Sequence, residues 1–320
     1  MRTSVVGRGE RLVRANRRPT LAGHIVGGTI MVVGLGMFAS GTVDLVDGGA
    51  NTVVLLSVGL VMSVVGAVTW RLTMTPRQIR VLDVFKAVTV TWIVIAVAGA
   101  VPYVLTGHFV HWDDALFESV SGFTTTGATV TPDIEAMSRG LLFWRSLSQW
   151  MGGMGVIVLV VAVLPTVGSG GMSLMQAEAP GPTGERLTPR VRQTARRLWG
   201  VYIGLTIIIG AAYAAAGMSL YDAVSHSFTT VSTGGFSPYQ ASIGHFESAA
   251  IEWLAIVSMF LAGGSFTLYY RALRKDVKPL FVSTEFRIYV LIVLGTTLWC
   301  FVTSGAGDGT SAGFRDSLFT

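Results

Sequence analysis

The chain has 320 residues, of which 51% are apolar and only 13% charged, about half the charged share of an ordinary soluble domain. With a mean hydropathy of +0.60, it does not read as the two soluble domains that its length would otherwise suggest. A net charge of +5 and a pI near 9.6 arise from Lys and Arg placed beside apolar runs, so they call for no nucleic-acid partner.

Taken in order, the chain opens with a basic tail, residues 1–20, that carries six arginines from Arg2 to Arg18. No convincing small-residue cleavage site follows, so the first apolar run is expected to remain as an uncleaved helix. Seven apolar runs approach the length of a bilayer-crossing helix: about 21–43, 51–70, 88–106, 141–165, 199–217, 248–269 and 287–305. The first two form a transmembrane hairpin, 21–70. The next unit, 88–165, reads span, short helix, Thr/Gly strand, span. Residues 166–198 are Gly- and Pro-rich, too polar and broken to cross a bilayer, and are expected as a cytoplasmic loop. The unit then repeats over 199–269 and starts a third time at 287–320.

Orientation follows from charge. Of the 23 Lys and Arg, 20 lie in four blocks: the tail, Arg71–Lys86, Arg186–Arg197 and Arg271–Arg287. Loops rich in acid alternate with them (Asp44, Asp47, Asp113, Asp114, Asp133, Glu135, Asp222, Asp308). The positive-inside rule puts the N-terminus and all four blocks in the cytoplasm. The expected fold class is an all-α integral membrane protein embedded in a lipid bilayer. Cys300 is the single cysteine, so no intramolecular disulfide can form.

One segment occurs twice without a gap. Asp114–Ala128 reads DALFESVSGFTTTGA and Asp222–Phe236 reads DAVSHSFTTVSTGGF, with Gly127 and Gly235 in matching places. A short helix leading into a Thr/Gly-rich strand between two spans is how a chain builds an ion selectivity filter. Backbone left unpaired at that depth is tolerated only against protein or water, and carbonyls facing a pore can replace a cation's hydration shell. The filter residues expected on this reading are Thr124, Thr125, Thr126 and Gly127, then Ser232, Thr233, Gly234 and Gly235. The short helices, roughly Asp114–Phe123 and Asp222–Thr230, would aim their partly negative C-terminal ends at the pore cavity. Alternatively, both segments are amphipathic re-entrant or interfacial helices with no role in conduction.

Other residues support this frame. Arg145 sits inside a span and needs a carboxylate, for which Glu118 is the candidate, as a brace for the filter. Gly152-Gly153 and Gly263-Gly264 mark the second span of each repeat, either for close packing or as a flexible point. His108 and His111 share a face only if their stretch is helical, and solvated histidines are the simpler reading. His226 is expected as a hydrogen-bonded core histidine behind the second filter. Asp113, Asp114, Asp133 and Glu135 would concentrate cations at the outer mouth. The GSGG run of the loop lacks the GK[ST] of a phosphate loop, and no nucleophile–base pair or metal quartet appears, so no enzyme is expected.

The stretches FESVSGFTTTGATV, FWRSLSQWMGGMGVIVLVVAVLP, GGMSLMQAEAPGP, LTPRVRQTA and HSFTTVSTGGFS together resemble the membrane subunit of Trk-type potassium uptake systems, in the superfamily that includes the Ktr and HKT transporters. The resemblance implies four span–helix–span units about one pore, preceded by a helical hairpin. It implies uptake of potassium as substrate across the cytoplasmic (inner) membrane, with K+ held at Thr125, Thr126, Gly127, Thr233, Gly234 and Gly235. Gly127 favours potassium, since serine there goes with sodium in the plant branch. The family also implies a homodimer and a cytoplasmic regulatory subunit that binds nucleotide, with no cofactor on this chain itself. Counted from Asp316, the third and fourth filter glycines would fall near ~329 and ~440. The chain therefore reads as C-terminally truncated, and the alternative function is a non-conducting fragment that assembles with a full-length homologue.

Overall fold

Two apolar helices, α1 (Leu21–Val46) and α2 (Thr52–Leu72), run antiparallel as the expected hairpin. Their seam is glycine. Gly27, Gly34 and Gly41 on α1 face the backbone at Trp70, Ser63 and Leu56, while Gly59 and Gly66 on α2 face Phe38 and Met31. Seven residues are close to two helical turns, so glycines at that spacing form one stripe along which two backbones can touch. A Cβ on Gly34 would stand 2.5 Å from the Ser63 nitrogen. Two-residue strands β1 (Arg18–Pro19) and β2 (Thr73–Met74) pair at the open end and are too short to form a layer.

The computed structural model describes residues 18–74, 81–168, 187–303, 315 and 317–319, in two units. The first unit holds the chain to Phe123 together with Ala128–Ser148, and the second holds Thr124–Gly127 and everything from Gln149 onward.

In the first unit, α3 (Val81–Leu105) packs on the hairpin and on the short helix α4 (Trp112–Phe123). Ser119 of α4 donates to the Ala96 carbonyl at 2.7 Å, and Trp144 donates to the Gly99 carbonyl at 3.2 Å. Gly99 lets α4 come close, because a Cβ there would meet the Phe123 ring at 2.5 Å. Helix α5 (Arg139–Gly168) begins here on the Asp44 carboxylate, which accepts from the Gly140 N–H at 3.0 Å. The same carboxylate accepts from the Asn51 N–H at 3.0 Å and the Thr52 hydroxyl at 3.1 Å. Asp44 is expected from the sequence in an acid-rich loop. It lies instead within α1, fully buried, at the positive end of another helix.

In the second unit, the rest of α5 lies with α6 (Leu187–Ala215), α7 (Leu220–Val231), a 3-10 turn (Ser242–Phe246), α8 (Ala249–Ala262), α9 (Phe266–Leu273), α10 (Lys278–Val282) and α11 (Thr284–Thr303). Its core gathers Met154, Tyr202, Ile209, Tyr213, Val231 and Ile251. Ser219 caps α7 by accepting from the Asp222 N–H at 3.2 Å, and its hydroxyl donates to the Asp222 carboxylate at 2.6 Å.

Among the described residues, five helices are long and apolar enough to cross a membrane, or six if the bent pair α8–α9 counts as one. Their outer faces expose Val, Leu and Ile in long stripes, the surface a bilayer covers. Several boundaries move. Helix α3 starts seven residues before the expected 88, and α6 reaches back to Leu187, inside the stretch 166–198 read as loop. Residues 169–186 of that loop, and Asp316 of the third unit, lie outside the described residues.

The span expected at 248–269 is not one rod. It bends by 96° between α8 and α9, at Gly263-Gly264. Helix α5 by contrast continues unbroken at Gly152-Gly153. A carbonyl released by the break is satisfied from outside, with Tyr289 of α11 donating to Phe260 O at 2.9 Å. The two glycine pairs thus differ: the helix continues through the first, where Gly153 packs against Tyr202 and Ser232, and the chain bends at the second.

Candidate functional site

The repeated segments take the same backbone form. In the first, Thr125 has φ 56° and Gly127 φ 79°; in the second, Thr233 has φ 54° and Gly235 φ 81°. These are the twelfth and fourteenth places of each copy, and the residues between and before them keep negative φ. A β-branched residue at positive φ is rare, so two threonines held there at one register mark an imposed conformation. Alternating the sign of φ along a short stretch turns successive carbonyls to one side and the N–H groups to the other. That is the backbone a row of cation-binding carbonyls requires.

Both segments belong to the second unit, where they meet. A Cβ on Gly127 would overlap the Gly234 carbonyl oxygen. Gly127 is therefore required twice, by its left-handed backbone and by that approach. At Gly235 nothing stands within 4 Å, so only the φ angle excludes a side chain. Gly234 has negative φ, and its lack of a side chain makes room for the Gln149 amide, which a Cβ would overlap. Thr124 and Thr126 expose hydroxyls that bond each other at 2.8 Å, and the Thr233 hydroxyl bonds the Ser232 carbonyl at 2.7 Å. Ser232 itself is buried, with its Cβ at 3.1 Å from where one on Gly153 would lie.

Helix α7 is anchored through His226. Its Nδ1 lies 2.9 Å from the Asp222 carbonyl and its Nε2 lies 3.1 Å from the Ser237 hydroxyl. A carbonyl can only accept, so Nδ1 carries the proton and Nε2 accepts from Ser237. Ser237 also accepts from the Tyr239 N–H at 3.1 Å, and the Tyr239 hydroxyl donates back to Asp222 at 3.0 Å. This closed ring of bonds fixes the chain as it leaves the second segment. A cavity of about 430 Å³ opens beside that segment, lined by Thr229, Thr230, Thr233, Gly234 and Gly235 among others.

The first unit holds the start of the chain leaving the first segment. Glu118 accepts from Arg145 Nε at 2.8 Å, with Nη2 also at 2.8 Å, and the two side chains are 0% and 1% exposed. The carboxylate also accepts from the Thr129 hydroxyl at 3.0 Å and the Val130 N–H at 3.3 Å. Ser121 donates to the Ala128 carbonyl at 2.6 Å. With three donor groups converging on it and the Arg145 charge beside it, Glu118 is braced and its charge neutralised. Arg145 carries its charge into this pair.

The histidines at 108 and 111 do not share a helical face, because α4 begins after them at Trp112. His108 packs edge-on against Phe109, and burial followed by the Arg145 charge lowers its pKa. Asp133 turns inward on its own loop, accepting from the Glu135 and Ala136 N–H groups at 3.1 and 3.2 Å. Gln149 escaped sequence reasoning. Its only signal is an amide within a span, three residues before Gly152-Gly153.

The chain as a whole is similar to proteins already known. The family described as TrkH, cation transport protein, matches residues 52–304. The Trk system potassium uptake protein TrkH of Halomonas elongata is 42% identical over 250 residues, covering 76% of this chain and 52% of that protein. The Trk system potassium uptake protein TrkG of Escherichia coli is 44% identical over 224 residues, covering 69% of this chain and 46% of that one. The crystal structure of the potassium transporter TrkH from Vibrio parahaemolyticus superposes with a TM-score of 0.81 at 33% identity, over 93% of this chain and 62% of that one. The chain spans about half the length of the curated relatives it matches.

Proposed function

The chain belongs to the TrkH cation transport family, and from that premise we propose that it carries potassium inward as part of a Trk-type uptake system. The observation that carries this reading is the recurrence of one backbone form, positive φ at Thr125 and Gly127 and again at Thr233 and Gly235. Carbonyls of Thr125, Thr126, Gly127, Thr233, Gly234 and Gly235 would replace the water around K+, and the exposed hydroxyls of Thr124 and Thr126 would widen the choice of oxygens. Gly127, where the sodium-selective pattern has serine, supports potassium as substrate.

The same reading extends to the surroundings. The protein would lie in the cytoplasmic membrane with its N-terminus inside, pair as a homodimer and take its gating signal from a nucleotide-binding regulatory subunit. Basic groups support a partner at the inner face. Arg197 and Arg274 both lie over the Tyr270 ring, at 5.2 and 5.9 Å, and Lys275 and Lys278 follow in the chain.

The test is rubidium and potassium uptake by the intact gene product, in cells stripped of their own potassium uptake. Saturable uptake that is lost when Gly127 or Gly235 becomes a bulky residue supports the proposal. Unchanged flux in those variants sinks it.

A further inference from the structure

We infer that Gln149 is a specificity-determining positioning residue, which holds the first and second filter segments at the separation that potassium requires. The inference rests on the transport reading above. It starts from one side chain that is fully buried, at 0% exposure, and lies against both segments at once.

The orientation of the amide is settled by its neighbour. The Phe236 N–H can only donate, and the Gln149 atom 3.0 Å from it is therefore the oxygen, Oε1. The nitrogen then points the other way. Nε2 lies 3.8 Å from the place a Cβ would take on Gly127, and the whole amide fills the space that a Cβ on Gly234 would need. Gln149 thus ties down the residue just after the second segment while its N–H donors face the seam where Gly127 meets Gly234.

Among the described residues Nε2 has no hydrogen-bond partner. Buried side-chain amides nearly always find partners, and one left open beside two strained strands has a use there. Its donors stand ready for a filter carbonyl that turns away from the ion, which sets how far the strands can relax around a smaller cation. Sodium demands that relaxation and potassium does not, so a wedge that limits it discriminates between them.

The second repeat shows that the fold itself does not need this amide. Three residues before Gly263-Gly264, the place that Gln149 holds before Gly152-Gly153, stands Phe260. Its ring packs on Phe286 and Tyr289. An amide at one of two equivalent posts belongs to what the first span does at the filter.

The experiment measures rubidium and sodium influx side by side for the intact gene product carrying Gln149→Leu or Gln149→Glu. Leucine keeps the bulk and removes both hydrogen-bonding functions; glutamate keeps the acceptor for Phe236 and removes the donors. Each variant is expected to lower the rubidium-to-sodium ratio, the leucine by about tenfold. A merely structural role would lower both fluxes together, so an unchanged ratio in either transporting variant overturns the inference. Failure of both variants to reach the membrane would make Gln149 a folding residue and overturn it equally. A wild-type protein without rubidium flux would instead defeat the transport reading on which this one stands.

Discussion

Glu118 and His226 hold the same post in the two repeats. Each lies four residues after the aspartate that opens its copy, Asp114 or Asp222, and each bonds the hydroxyl residue 11 positions further on, Thr129 or Ser237. The brace is conserved in geometry while its chemistry changes from a carboxylate to a neutral imidazole. A buried carboxylate needs a cation, which Arg145 brings; the imidazole needs only the Asp222 carbonyl and the Ser237 hydroxyl.

That difference predicts an asymmetric response to mutation. Arg145→Met leaves Glu118 buried without its cation and should cost about 3–5 kcal/mol. Adding Glu118→Gln should recover part of the loss, because no uncompensated charge then remains. Thermal unfolding of the purified protein in detergent checks both. A double variant no more stable than Arg145→Met alone would show that the charges are not coupled.

The two left-handed glycines, Gly127 and Gly235, should not be equally sensitive. Gly235→Ala meets only the left-handed backbone, worth about 1–2 kcal/mol. Gly127→Ala meets the same strain and also the Gly234 carbonyl, which is backbone and cannot swing aside. Rubidium uptake should fall more than about tenfold further for Gly127→Ala than for Gly235→Ala. Equal loss would mean that the approach of the two segments does not matter to flux.

His108 predicts a pH dependence. Burial, then the Arg145 charge, lowers its pKa from the ordinary 6.5, against weaker opposing effects of Glu118 and Asp133. Between the lowered value and 6.5 the unfolded chain binds the proton and the folded one does not, so stability rises with pH through that window and falls as the medium is acidified below 6.5. His108→Gln should flatten that part of the curve. A melting temperature whose slope from pH 7 to 5 is the same with and without His108 contradicts this assignment.

Asp44 and Asp47 sit three residues apart and should behave differently. Asp47 forms an exposed pair with Arg139 at 2.9 Å, worth about 1 kcal/mol at most. Asp44→Ala strands the buried Gly140 N–H and removes the partner of the half-buried Asn51 N–H, and should cost about 3 kcal/mol. Comparing the two alanine variants by thermal unfolding decides whether that carboxylate joins the hairpin to α5.

Much of this fold is legible in the order of apolar runs and basic blocks, because membrane helices must satisfy their own backbone and so announce themselves by length. The Arg145–Glu118 pair is legible for a related reason: a lone charge in a span needs a partner, and few carboxylates are near in sequence. The break at Gly263-Gly264 is not, since Gly152-Gly153 reads the same and stays helical. What separates them is tertiary, the Tyr289 hydroxyl waiting for the freed Phe260 carbonyl. Asp44 was misplaced because its acid looks like a loop residue until Gly140, 96 positions later, donates its N–H to it. Gln149 had no spacing to betray it. Its partners lie in two segments, one before and one after it in the chain.

The glycine seam of the hairpin bears on how the protein is made. Helices α1 and α2 touch through backbone along Gly27, Gly34, Gly41, Gly59 and Gly66, and that contact asks for nothing encoded after residue 72. The pair can close as it leaves the ribosome, before either repeated segment is synthesised. By the time Gly140 emerges, the Asp44 carboxylate is already in place to receive it. The hairpin is then a template laid down first, and a bulky residue at Gly34 or Gly59 would be felt as failed biogenesis rather than as altered transport.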